Sequence, residues 1–122
     1  LYWYPKDDTP GCTTEACEIR DSWQLLSGEA KLLGVSPDSV KSHQKFRDKY
    51  SLPFPLLADD GHKVAEAYGV WGPKKFMGRE YMGVERSTFI IDPEGKLAKV
   101  FPGVKPAGHA LEILQALKEL KK

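Results

Sequence analysis

The chain has 122 residues, 41% of them hydrophobic and 29% charged, with a formal net charge of +1. That balance suits one compact domain with a modest core, and it lacks the basic footprint of a protein that binds nucleic acid or an anionic membrane. No apolar run approaches the ~20 residues of a spanning helix and no stretch has the layout of a cleavable signal, so a soluble cytoplasmic protein is expected.

The opening "LYWY" reads as a buried strand already under way, and further strand-forming residues are expected to precede it. "KDDTPG" then supplies turn residues and a proline suited to opening a helix. From Pro10 to about Leu26, the positions Cys12, Ala16, Ile19, Trp23 and Leu26 recur every three or four residues, which predicts one amphipathic helix closed by Gly28. "KLLGVS" returns as a second buried strand. Asp38 or Ser39 can cap a helix to about Tyr50, with Val40, His43, Phe46 and Tyr50 roughly on one side. The prolines of "SLPFPLLAD" allow only a short edge-like strand around Leu56 to Ala58. A further helix is expected over Lys63 to Tyr68, ending at Gly69.

"VWGPKKFMGREYMGVE" is rich in glycine and aromatics without helical period, and it reads as a long, partly packed loop. "STFIID" and "KLAKVF" flank "PEG" as an antiparallel hairpin, with Asp92, Pro93 and Gly95 as turn residues. From Pro106 to Lys122, the repeat of Leu111, Leu114, Leu117 and Leu120 predicts an amphipathic helix, with Lys118, Lys121 and Lys122 favouring its C-terminus. Alternating strands and helices imply parallel pairing, and the hairpin adds antiparallel strands. The expected fold is therefore α/β and thioredoxin-like: a mixed central sheet flanked by helices on both faces, in a single domain over residues 1–122.

The two cysteines are too few for a disulfide scaffold, and their spacing of five differs from the C-x-x-C of zinc and thioredoxin-type motifs. His43, His62 and His109 are scattered and read as surface or interfacial residues. The residues around Cys12 say more. Thr9 is a good N-cap and Pro10 fits the first helical position, which places Cys12 third from the cap. A thiolate there faces unpaired backbone N–H groups and the positive end of the helix dipole. A buried, inert cysteine would fit the position alone equally well.

Pro5, Thr9 and Cys12 form P-x-x-x-T-x-x-C directly after a strand, and this pattern resembles the active-site signature of the peroxiredoxins. More narrowly, "YPKDDTPGCTTEAC" is similar to the bacterioferritin comigratory protein, or peroxiredoxin Q, type. The likeness continues through "LGVSPDS", "FPLLAD", "YGVWGPKKFMGREYMGVERSTFIIDPEGK" and the closing helix, and it departs where "LLSGEAKLLGVS" is about one residue short. The resemblance implies a thiol peroxidase for hydrogen peroxide and organic hydroperoxides that needs no metal, haem or flavin. It implies that Cys12 is the peroxidatic residue, that Thr9 hydrogen-bonds the thiolate and the peroxide, that Pro5 shields the site from water, and that Arg86 holds thiolate and polarised oxygen. It implies that Glu15 orients Arg86, although a first-turn acid stabilising a helix is an alternative reading.

On one helix, the Cα atoms of Cys12 and Cys17 would stand roughly 8 to 9 Å apart and point about 140° from one another. A disulfide tolerates at most about 7 Å, so an intact helix forbids the bond. The resemblance implies that Cys17 nonetheless resolves the sulfenic acid as an intramolecular disulfide, which requires the helix to unwind at Gly11 and beyond, and that thioredoxin or a similar dithiol recycles it in a monomeric enzyme. Cys17 as a small core residue is the plainer alternative. Two other functions stay open on the residues alone. One is a thioredoxin-type thiol-disulfide oxidoreductase; the other is a redox-sensing module that presents the aromatic segment around Trp71, Phe76 and Tyr81.

Overall fold

In the computed structural model, residues 1–120 are described, the side chain of Phe76 excepted, so the roles read for Lys121, Lys122 and the Phe76 ring lie outside the described residues. A five-stranded sheet runs in the order β3 (Leu56–Ala58), β2 (Gly34–Ser36), β1 (Tyr2–Trp3), β6 (Ser87–Ile91), β7 (Leu97–Phe101). β1 pairs parallel with β2, and β2 with β3, while β6 is antiparallel to both β1 and β7. The mixed sheet and the edge position of the proline-bounded β3 match expectation.

Alternation along the first strand sorts the core. Tyr2 and Tyr4 turn to one face, with Cys12, Ala16 and Ile19 of α1 (Pro10–Asp21), Phe46 of α3 (Val40–Tyr50) and Ile113, Leu114 and Leu117 of α5 (His109–Leu120). Trp3 turns to the other, with Ala65 of α4 (Lys63–Ala67), Val70, Val84 and Phe89. A buried aromatic removes about 150–250 Å² from water, roughly 4–6 kcal/mol of transfer free energy before ordering costs. The "LYWY" run is therefore the keystone of both layers. Gly34 beside it has no room for a side chain, since a Cβ would lie 2.9 Å from the ring of Tyr2 and from Leu56 Cδ2.

Four expectations need correction. The first helix is broken: Ser22, at φ −99° and ψ 10°, shares its N–H between the Glu18 and Ile19 carbonyls, and a separate short α2 (Trp23–Ser27) follows. The expected loop after Gly69 is instead a second, two-stranded sheet, β4 (Trp71–Phe76) against β5 (Arg79–Val84). Met77 and Gly78 both have positive φ, the signature of the two-residue turn that matches strand twist. Gly72, Pro73 and Gly83 interrupt the alternation that would have announced these strands.

The last helix buries Ala110, Ile113, Leu114, Ala116 and Leu117, whereas Leu111 and Leu120 face solvent. Two of the three histidines are buried, not superficial. His109, at the head of α5, meets Thr88 Oγ1 at 2.7 Å and Glu112 Oε1 at 3.2 Å. Those partners suit a neutral ring that donates from Nδ1 and accepts the threonine hydroxyl at Nε2, and burial lowers its pKa accordingly. His62 alone is half-exposed, stacked on Trp71 at 3.8 Å.

Ser39 caps α3, accepting the Ser42 N–H at 3.1 Å, while Asp38 is used elsewhere. The β6–β7 turn is held as expected by Asp92, whose Oδ1 accepts from the N–H groups of Glu94 and Lys96.

Candidate active site

After Tyr4 the chain leaves the sheet, and Pro5–Thr9 forms the approach to α1. Thr9 has extended backbone (φ −91°, ψ 156°), and its carbonyl accepts the first helical bond, from Thr13 N–H at 2.8 Å. Pro10 follows in the first helical position. Thr9 is thus the N-cap by backbone but not by side chain, because its hydroxyl donates to Lys6 O at 2.9 Å. That hydroxyl is not directed at Cys12, and the direct bond to the sulfur implied by the resemblance is not made in this state. Its lone pairs remain available to accept a hydrogen bond. Cys12 sits in the first turn with 1% of its surface exposed, where the backbone N–H groups have no carbonyl four residues back.

Arg86 reaches this turn from the connection between β5 and β6. Val104 N–H donates to its carbonyl at 2.8 Å, which pins its backbone. Its guanidinium divides between two residues of α1: Nη2 donates to Cys12 Sγ at 3.2 Å and Nη1 to Glu15 Oε1 at 3.1 Å. The planar fork suits this bridging, and it holds a fixed positive charge against the sulfur. Gly11 makes the approach possible, since a Cβ there would lie 3.1 Å from Arg86 Nη2 and 3.3 Å from Pro106 Cγ. Gly11 is therefore required by the close approach of Arg86 as well as being a point where the helix can yield.

Glu15 is fully buried, and its second oxygen, Oε2, has no hydrogen-bond partner among the described residues. Burial lifts its pKa to about 7, opposed by the charge and hydrogen bond of Arg86. The carboxyl therefore carries a full charge only above neutrality. Tyr2 lies beneath the site, its hydroxyl pKa raised by burial and then by the charges of Glu15 and Cys12. Lys74 adds a second cation whose pKa is lowered by burial and then by Arg86. Gly83 leaves space for its stem, and its Nζ donates to Val84 O at 2.8 Å.

The structure therefore brings Cys12, Glu15 and Arg86 into bonded contact, and places Pro5 and Thr9 on the segment that leads into the same turn. Cys17 stays apart. Both thiols are free and α1 is unbroken from Pro10 to Asp21, so the ideal separation of roughly 8 to 9 Å holds. Sequence reasoning missed the hydrogen-bonded group behind the approach segment, in which Asp7 meets Tyr4, Ser42 and His43. One signal was available, for His43 falls on the apolar side of α3, where a polar ring needs a buried partner.

Comparison with known proteins bears on this geometry. A model of the AhpC/TSA family matches residues 1–100. The chain is 57% identical to peroxiredoxin Bcp of Bacillus subtilis over 121 residues, covering 98% of this chain and 77% of that protein. It is 43% identical to peroxiredoxin Bcp of Escherichia coli over 120 residues, with the same coverage. Among solved structures, the bacterioferritin comigratory protein of Xanthomonas campestris, described for its alkyl peroxide reduction activity, superposes with a TM-score of 0.93 at 43% identity, covering 99% of this chain and 77% of that one.

Proposed function

This chain belongs to the AhpC/TSA family, as a peroxiredoxin of the bacterioferritin comigratory type, and from that premise we propose that Cys12 carries its thiol peroxidase activity with Arg86 and that Cys17 resolves the product. Peroxides are the substrates of the family and a thioredoxin-type dithiol its reductant. The observation that carries the assignment of Cys12 is the guanidinium fork, which holds Sγ and Glu15 together at the start of one helix.

The Cys12 thiolate attacks the terminal oxygen of the peroxide. A sulfur–oxygen bond forms, the O–O bond breaks, and its electron pair leaves on the departing hydroxide or alkoxide, which takes up a proton. Negative charge grows on that oxygen in the transition state, where Arg86 and the first-turn N–H groups are aimed without needing to reorganise. Pro5 covers the thiolate against water, and the Thr9 hydroxyl accepts from the incoming peroxide. Cys17 then attacks the sulfenic sulfur, forming a disulfide and releasing water. A dithiol such as thioredoxin returns both thiols by exchange, itself becoming a disulfide.

The enzyme acts in this reading as a one-domain cytoplasmic monomer on hydrogen peroxide and small organic hydroperoxides. No helix among the described residues is long and apolar enough to cross a membrane. A thioredoxin-type exchange reaction is less well served, since it needs two sulfurs that meet without unwinding.

Reduced protein mixed with one equivalent of hydrogen peroxide and quenched at millisecond intervals into a sulfenic-acid trap is expected to carry the trap on Cys12 alone. A tag found first on Cys17, or oxidation no faster than that of a free thiol, would remove Cys12 from this role.

A further inference from the structure

Behind the approach segment, the His43 ring is 4% exposed and enclosed by acceptors. Nδ1 lies 2.7 Å from Asp7 Oδ2 and Nε2 lies 2.9 Å from the carbonyl of Leu57 on β3. A carbonyl can only accept, so Nε2 carries hydrogen. Asp7 already receives the Tyr4 hydroxyl on Oδ1 at 2.6 Å and the Ser42 hydroxyl on Oδ2 at 2.7 Å, the setting of an ionised carboxylate, so Nδ1 carries hydrogen too. Hydrogen on both nitrogens makes the ring an imidazolium. Asp38 completes the surroundings, accepting from Asp7 N–H at 2.8 Å and from the Ser36 hydroxyl at 2.6 Å. Asp7, Asp38 and His43 stand close enough to share a cation, but the atoms they would offer are engaged with one another and their neighbours.

The ion pair ties α3 to the segment between Pro5 and Thr9. Asp8, one residue on, makes a second tie to the same helix through Lys49 Nζ at 2.8 Å and the Tyr50 hydroxyl at 2.9 Å. That outer tie is exposed and weak, whereas the inner one is buried. We propose that His43 is a positioning residue for peroxide reduction: as an imidazolium held between Asp7 and Leu57 O, it fixes the segment that sets Pro5 and Thr9 over Cys12. This rests on the assignment of Cys12 as the reacting thiol.

A pH dependence follows. Burial works against the charge, but the hydrogen bond and charge of Asp7, then the Leu57 carbonyl and Asp38, outweigh it and raise the His43 pKa above 6.5. A raised histidine pKa means that the tie is complete below 6.5 and is lost as pH rises through the folded-state value. The groups facing the ring are Asp7, whose Oδ2 meets Nδ1, Asp38, and the Tyr4 hydroxyl 3.4 Å from Nδ1. Glu15 beside Arg86 titrates in the same window, so the limb is assigned to the imidazole by its loss in His43→Gln.

In wild type, the second-order rate of Cys12 oxidation by peroxide is expected to fall on the alkaline side by about tenfold as the segment loosens. His43→Gln, which cannot be charged, should show the low rate throughout and no such limb. Asp7→Asn should move the limb to lower pH, a shift that a merely structural contact would not produce. Alkylation of Cys12 by iodoacetamide needs the thiolate but no peroxide pocket, and it should change less than twofold in either variant. Nitrogen-15 spectra of the wild-type imidazole supply a test that needs no variant, with both ring nitrogens protonated below pH 6.5. A neutral His43 ring there, or a limb unmoved in both variants, would overturn the proposal. Failure of the Cys12 assignment looks different, since wild type would then lack the fast peroxide reaction at every pH while the spectra still reported the ring.

Discussion

Arg86→Lys is expected to slow the reaction of Cys12 with hydrogen peroxide by roughly 10²–10³-fold, the loss typical of removing one preorganised donor from a developing oxyanion. Lysine keeps the charge but not the fork. The guanidinium spans Sγ at 3.2 Å and Glu15 Oε1 at 3.1 Å with separate nitrogens in one plane. An ammonium on a shorter stem can satisfy Glu15 or the sulfur, and a buried carboxyl whose Oε2 has no partner among the described residues will compete strongly for it. The substitution is preferable to alanine, which would leave Glu15 buried without its cation at a cost of about 3–5 kcal/mol in stability. Stopped-flow fluorescence during oxidation gives the rate, and far-ultraviolet dichroism confirms the fold. A loss smaller than threefold would mean that the fork is a structural ion pair and that the positive field on the sulfur comes from α1.

Cys17→Ser is expected to leave the first oxidation within twofold of wild type and to lower thioredoxin-linked turnover by on the order of 10²-fold. The reason is effective concentration: once α1 opens, a four-residue tether presents the resolving thiol at a millimolar level, which a dilute external dithiol does not match. The sulfenic acid should then persist long enough to be labelled, and excess peroxide should carry it on to the sulfinic state. Coupled turnover and intact mass report the two effects separately. Turnover undiminished by the change would leave Cys17 as a packing residue.

The polypeptide announces its architecture unevenly. Strands β1, β2 and β6 were legible because a central strand must be apolar on both sides, and the Asp92–Gly95 turn because its chemistry is local. The β4–β5 hairpin was not, since its strands are mostly exposed and carry Gly72, Pro73 and Gly83 where alternation should be strongest. The buried stripe of α5 is set by alanine as much as by leucine, since Ala110 and Ala116 are buried and Leu111 is exposed, and a leucine repeat alone does not reveal it. At the site, Cys12 could be placed from Thr9 and Pro10 alone because capping is a matter of neighbouring residues. Arg86 lies 74 positions away, and its contact with the sulfur is a property of the tertiary fold. The same holds for Asp7 and His43, 36 positions apart.

Glu15 joins the electrochemistry of this protein to acidity. While α1 is closed its carboxyl is buried, with a pKa raised to about 7 from 4.5, chiefly by burial. A raised carboxyl pKa favours the closed helix fully below 4.5, an advantage lost as pH rises through about 7. In the proposed cycle, disulfide formation opens the helix and returns Glu15 to water, so between those limits each oxidation would shed up to one proton beyond the two from the thiols. For a two-electron couple, one additional proton steepens the midpoint potential by ~30 mV per pH unit. Acidification within that window raises the potential and so makes the disulfide easier to reduce, returning the enzyme more readily to its peroxide-ready form.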